Sequence, residues 1–343
     1  MAINFTGGTT NQTELEEIVQ ELYAESFTIR DGIVDISENH KSGTDVYESS
    51  ATVSASAATT TAVTATGDID LNANKTGVPL VSFQFEDTMD DNALKGTRFE
   101  RSMRAGAFNV VSDEFDQRVL TQVAPAIGET VENMLWNGAT TAQKSAIAGL
   151  TPGAAQGSIS AGAQTLVAAM PTNLVNSFPA TVLYNASNAK ATPGAGLGDY
   201  QKVLSIATVT SATIAAEYAK AYGAAPSKVI NSTTEMAEIY APLGDRQLIK
   251  IANNAVGAAQ QVNFLVEGDN ISYNGHKINF VPLVGFRFIV IPSYLKILMD
   301  LASDVSSLQI DQMANGSRQR YIKNVQTMAT WCVNQKYITL YGG

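Results

Sequence analysis

The stretch "AGAFNVVSDEFDQRVLTQVAPAIGETVENMLWNG", residues Ala105 to Gly138, decides how the chain folds. Phe115, Val119, Val123, Ile127, Val131 and Leu135 recur every four residues, which draws one slowly drifting apolar stripe along a helix. Ser112 or Asp113 can cap the first turn, where acidic residues favour the positive end of the helix dipole. Asn137-Gly138 stops the helix. About 24 residues at ~1.5 Å each give a rod of about 36 Å, long for a globular helix. Pro125 lies inside the pattern, so a bend is expected near the preceding turn.

Composition agrees with a large core and crowded surroundings. The 343 residues are 45% apolar but only 16% charged, against about 25% in a typical soluble domain. Small uncharged residues fill the gap, so much of the surface can lie against other protein. The net charge of −10 and the lack of a basic cluster speak against a nucleic-acid reader. Cys332 is the sole cysteine, so no intrachain disulfide exists, and its apolar neighbours suit a buried small hydrophobe. Met1 to Gly8 lacks a signal sequence, and the apolar run Phe280 to Leu301 is broken by Arg287, Pro292 and Lys296. A soluble chain made in a cytoplasm, with no membrane partner and no large propeptide, is expected.

Before the long helix the chain builds little core. Thr13 to Phe27 reads as an acidic amphipathic helix with a capping box (Thr13, Glu16) and an apolar face of Leu15, Ile18, Val19 and Leu22. At about 15 residues it is marginal alone and must dock on something. Ser49 to Thr66 has no charge, aromatic, Gly or Pro, and reads either as a linker or as an extended arm across a neighbour. Val81, Phe83 and Phe85 alternate with polar residues as in a strand. Asp87 to Gly96 would be a polar tip and Thr97 to Phe108 the returning strand of a long hairpin. On that hairpin Glu86, Asp87, Asp90 and Asp91 precede Arg98, Arg101 and Arg104. Those charges either bridge subunits, at about 0–1 kcal/mol per exposed pair, or pair within a solvated hairpin.

After the helix, the expected elements are a helix near Ala161 to Met170, a helix over Ala212 to Tyr222, and a strand over Lys228 to Asn231. A helix over Thr233 to Tyr240 follows, capped by Ser232. Asn274-Gly275 turns a hairpin over Ile271 to Val281, and Phe286 to Ile291 reads as a buried strand. Two long strands, Leu308 to Met313 and Arg318 to Val333, flank Asn315-Gly316, and Tyr337 to Tyr341 closes the chain as a strand. The mixture points to an α+β layer with a central sheet.

The ordered set of these segments resembles the HK97-type major capsid proteins of tailed double-stranded DNA bacteriophages. "AGAFNVVSDEFDQRV", "ENMLWNG" and "AIAGL" resemble the approach, spine helix and exit loop of that family; "PSKVINSTTEMAEIYAPLGDRQLI" and "ISYNGHKINFVPL" resemble parts of its axial domain. The resemblance covers most of residues 65 to 343. It implies an N-terminal arm (1–66), an extended hairpin loop (67–106), a peripheral domain with the spine helix (107–165), an axial α/β domain (166–302) and peripheral long strands with a closing strand (303–343). It implies a virion protein, made in a bacterial host, that assembles into hexamers and pentamers of an icosahedral shell. Portal, scaffolding and cement or decoration proteins are the implied partners, and the DNA inside is enclosed without sequence-specific binding. Some members join subunits by a Lys–Asn isopeptide bond assisted by Glu. Lys75 or Lys95 and Asn324 or Asn334 are candidates here, but Arg318 to Val333 contains no Glu, so non-covalent locking is expected. An encapsulin-like compartment shares the fold and is the rival reading; an extracellular β-rich surface or adhesion protein is a more distant one.

Enzyme chemistry finds no footing. His40 and His276 are far apart and no zinc spacing exists. Cys332 has no basic neighbour to activate it. Gly194 to Gly198 lacks the Lys-Ser/Thr of a phosphate loop, and Asp87, Asp90 and Asp91 miss the calcium-loop spacing. No catalytic residue, cofactor or metal is expected.

Overall fold

The computed structural model describes residues 28, 32–38, 40, 44–53, 69–78, 80–90, 113–150, 160–191, 202–204, 208–255, 264–300, 308–312, 319–333 and 337–342. The expected helix over Thr13 to Phe27, the returning strand Thr97 to Phe108, the Asn315-Gly316 turn and the loop Gly194 to Gly198 lie outside them.

The first strands depart from expectation. β1 (Asp35–Ser37) is short. β2 (Thr44–Val53) and β3 (Ile69–Val78) form a two-stranded antiparallel ribbon, in register from Thr44↔Val78 to Val53↔Ile69. Ser49 to Val53, expected in a linker or arm, are therefore strand; their Thr, Ala and Val suit a ladder whose partner supplies the missing hydrogen bonds. β4 (Val81–Asp90) runs through the expected acidic tip as far as Asp90. It pairs with a strand more than two hundred residues later, because Phe83 is buried in the core that this later strand also builds.

α1 (Asp113–Trp136) has the predicted start, end and length, 24 residues, with Pro125 inside it. Of the stripe, Ile127, Val131 and Leu135 are buried and Val123 packs half-buried against them. The side chains of Phe115 and Val119 lie outside the described set. α2 (Thr141–Ala148), whose N-cap Thr140 accepts from the Gln143 N–H, ends within the segment "AIAGL" read as an exit loop. α3 (Ala161–Ala169) falls where expected, capped by Ser160. α4 (Phe178–Ala191) tolerates Pro179 because a first-turn residue needs no intrahelical N–H bond.

After β5 (Lys202–Leu204) comes α5 (Ile214–Ala224), close to its predicted span. Two expectations then exchange. Lys228 to Asn231 is the helical turn α6 (Ser227–Ile230), opened by Pro226 with its fixed φ, and not a strand. Thr233 to Tyr240 is not a helix: β6 (Glu238–Pro242) occupies its end. Ile239, Tyr240 and Ala241 are all buried, as in a strand covered on both faces. α7 (Leu243–Ala255), β7 (Phe264–Glu267), β8 (Asn270–Tyr273) and β9 (His276–Val281) follow. The β8–β9 turn has φ of 49° at Asn274 and 85° at Gly275, both positive as a type I′ turn demands. β10 (Phe286–Val290) is buried at every residue. β11 (Leu295–Met299), β12 (Leu308–Gln312), β13 (Gln319–Cys332) and β14 (Thr339–Gly342) complete the order.

Two sheets organise these elements. In the first, the long β13 pairs with β4 along one edge and with β12 and β11 along the other, and β1 adds to β11 in parallel. The second runs β5-β14-β10-β6-β9-β8-β7. The closing strand β14 thus belongs to the second sheet, between β5 and β10, and not beside the long strands. Tyr240, Phe288 and Leu340 of this sheet face the spine helix. Ile239, Ile289 and Tyr341, on the alternate positions, face α5 and α7.

Candidate functional site

The geometry converges on two places: the junction between the spine helix and both sheets, and the outer helical face of the second sheet. At the junction Trp136, the last residue of α1, is fully buried. Its ring stacks on Tyr240 at 5.4 Å, tilts against Phe178 at 5.0 Å and meets Phe288 edge-on at 6.4 Å. Such pairs add about 0.5–1.5 kcal/mol each beyond their burial. One turn earlier on the same helix, Glu132 is buried. Its carboxylate accepts from the Thr28 N–H at 3.3 Å and from the Thr28 hydroxyl at 2.5 Å, while the indole N–H of Trp136 donates to the Thr28 oxygen at 2.7 Å. Five residues on, the Ile33 carbonyl accepts from the Tyr240 hydroxyl at 2.9 Å. Burial, with Glu238 and Glu235 nearby, pushes the Tyr240 pKa far above its ordinary value, so this phenol donates at every working pH. β1 then pairs with β11, and Lys296 bridges Asp35 at 2.9 Å. Thr28, Ile33 and β1 between them therefore touch the spine helix and both sheets. α4 adds a further tie, with the Thr181 and Thr330 hydroxyls 2.9 Å apart.

On the outer face Arg287 reaches Asp245 with two N–H groups, at 2.6 and 2.7 Å. The Tyr218 hydroxyl donates to the same carboxylate at 2.9 Å, and the guanidinium lies 5.8 Å from the Tyr218 ring centre. Burial alone would lower the Arg287 pKa, but Asp245 outweighs it and holds the guanidinium charged. Burial and then Asp245 raise that of Tyr218. Asp245 sits in the first turn of α7, where the helix dipole favours a negative charge. Beside it Glu217 accepts from Lys220 at 2.6 Å and from the Tyr341 hydroxyl. Burial would raise the Glu217 pKa; the bonds from Lys220 and Tyr341, with the Lys220 and Arg287 charges, bring it below its ordinary value. This network joins α5, α7, β10 and β14. Sequence reasoning missed it, since its six members span Glu217 to Tyr341 with no local pattern.

The sequence-predicted charges fall into two groups. Glu86 is an exposed residue of β4, facing Lys323 in the register and accepting from Gln84 at 2.9 Å. Asp87 and Asp90 lie further along β4, opposite Ile322 and Gln319. Asp91, Arg98, Arg101 and Arg104 lie outside the described residues. Lys75 is in the ribbon, opposite Tyr47. Asn324 is buried mid-strand and accepts from Gln326 at 2.8 Å; Lys95 and Asn334 lie outside the described residues. Cys332 is buried. His276 is held between the Ala237 carbonyl and the Tyr222 hydroxyl, and His40 contacts Ser37. Among the described residues no His/Cys/Asp/Glu group is arranged to hold a metal, and no helix is long and apolar enough to cross a membrane.

No family model and no curated protein matches the sequence. Solved structures do. The capsid of Myoviridae phage XM1 aligns over 92% of this chain and 92% of its own at a TM-score of 0.52, with 11% identity. The procapsid of satellite phage P4 aligns over 95% and 98% at 0.49 with 8% identity, and the capsid of a native GTA particle over 100% and 93% at 0.48 with 9%. A spine helix ending at an aromatic junction, a sheet built on one long strand and a separate seven-stranded sheet thus make up the HK97-like fold of phage capsid proteins.

Proposed function

We propose that this chain is a major capsid protein, the structural, non-enzymatic tile of an icosahedral shell that encloses double-stranded DNA. The observation that carries the reading is the alignment with the XM1 capsid along 92% of both chains, which leaves little of either chain for a different task. The low charge content fits a tile that hides much of its surface against copies of itself. A wall of net charge −10 encloses DNA without trapping its phosphates. Hexamers and pentamers are the expected capsomers, in a virion made in a bacterial cytoplasm, with a portal and with scaffolding and cement proteins as candidate partners. The charged set Glu86, Asp87, Asp90, Asp91, Arg98, Arg101 and Arg104 is proposed to bridge neighbours, with locking by non-covalent contacts.

Negative-stain microscopy of the purified full chain is expected to show closed shells or capsomer rings; a monodisperse monomer at all concentrations overturns the proposal. Denaturing gels of the particles should show single-chain bands, whereas a ladder of covalent multimers refutes non-covalent locking.

A further inference from the structure

The outer face of α7 presents a cleft of about 390 Å³ lined by Leu243, Arg246, Gln247, Lys250, Ile251 and Asp269, with Asn254 at its end. Leu243 and Ile251, two turns apart, are 54% and 46% exposed, high for large aliphatic side chains on one helix face. Arg246 and Lys250 share a single carboxylate, Asp269, which is itself 84% exposed. The cleft therefore offers aliphatic surface flanked by two cations, on a chain of net charge −10.

One segment of this chain is its chemical complement. Thr13 to Phe27 carries Glu14, Glu16, Glu17, Glu21 and Glu25 with no Lys or Arg, and its apolar face is Leu15, Ile18, Val19 and Leu22. Resting on the shell reading above, we infer that this acidic segment of one copy docks as a helix along α7 of a second copy, with leucine and isoleucine on Leu243 and Ile251 and glutamates at Arg246 and Lys250.

The occupant comes from another copy because of where Thr28 sits. Thr28 is held by Glu132 and Trp136 on the spine side of the second sheet. α7 lies on the opposite side, over Ile239 and Ile289. Phe27 is bonded directly to Thr28, so a helix ending there starts with the whole sheet between it and its own α7. At ~1.5 Å per residue, about 15 residues give about 22 Å, little more than the 13 residues of α7, so a helix lying along α7 has no length left to round the sheet.

The test uses the full chain with Ile251→Cys paired with either Ile18→Cys or Leu22→Cys and a short bifunctional maleimide; the natural Cys332 is buried. Dimers and higher bands on a denaturing gel are expected for at least one pair. Arg246→Glu with Lys250→Glu should cut those bands about tenfold, since two exposed ion pairs turn repulsive. Glu17→Lys with Glu21→Lys in the same chain should restore them. Cross-linking confined to a single chain, no cross-link from either pair, or bands indifferent to both charge reversals overturns the docking. Microscopy of the unaltered chain reads shell formation separately, so a chain that forms shells without these bands loses the docking alone, and one that forms the bands without shells loses the capsid reading alone.

Discussion

On one face of the second sheet, Tyr240, Phe288 and Leu340 close around Trp136 and Phe178 with aromatic contacts and almost no charge. On the other face, Arg287, Tyr218 and Tyr341 donate directed bonds to the carboxylates of Asp245 and Glu217. The spine side is held by shape and area, which are roughly proportional to apolar burial and indifferent to small rotations. The outer side is held by a bidentate pair that tolerates only one geometry. The difference teaches where precision resides: the spine side supplies bulk stability, and the outer side fixes how α5 and α7 sit on the strands. That helical layer also carries the cleft through which copies are inferred to meet.

Trp136→Ala should break the comparison most deeply. It removes the centre of the aromatic face and the N–H that holds Thr28, and should cost about 3–5 kcal/mol in chemical denaturation. Arg287→Met comes next, at about 3 kcal/mol, because Asp245 is left buried without its counter-charge. If directed bonds on the outer face give geometry more than energy, adding Asp245→Leu to Arg287→Met should recover most of that loss while hydrogen exchange in α5 and α7 stays faster than in the parent. A smaller effect, about 1–3 kcal/mol, is expected for Thr28→Val, which keeps the side-chain shape but deletes the hydroxyl shared by Glu132 and Trp136. Its signature is faster amide exchange at Ile36 and Ser37 with little change in β10. The smallest effect is acid sensitivity. The Glu217 pKa is lower folded than unfolded, so its contribution is complete above the ordinary value of 4.5 and is lost as pH falls through the folded value. Melting temperatures of the parent and Glu217→Gln should differ at neutral pH and converge in acid; a difference that persists in acid would contradict this.

Much of the frame is legible in the sequence because it is local. The spine helix shows itself by a four-residue period and a terminal Asn-Gly, and the β8–β9 hairpin by Asn274-Gly275, whose positive φ values only a few residue types accept. What escapes reading is decided at a distance. Thr233 to Tyr240 carries a capping serine and a helix-like start, yet Glu238 to Pro242 become strand because β9 and β10 stand on either side. Ser232 caps only a local turn, with the Glu235 N–H at 3.5 Å. β4 looks like half of a local hairpin, and the partner it has among the described residues, β13, is far away in sequence. Asn324 and Gln326 are polar yet fully buried, bonded to each other. The outer-face network and the cleft on α7 needed the fold before their residues could be seen as neighbours.

The pairing of β4 with β13 also bears on how the protein is made. A ribosome that has finished Val81 to Asp90 must still add everything up to Gln319 before that strand finds its ladder. At about 5–20 residues per second this takes on the order of 10–50 seconds, during which Phe83 and Phe85 lack their β13 neighbours. The trailing strand β14 must then slot between β5 and β10 to complete the second sheet. Synthesis of β4 and completion of its ladder are thus separated in time.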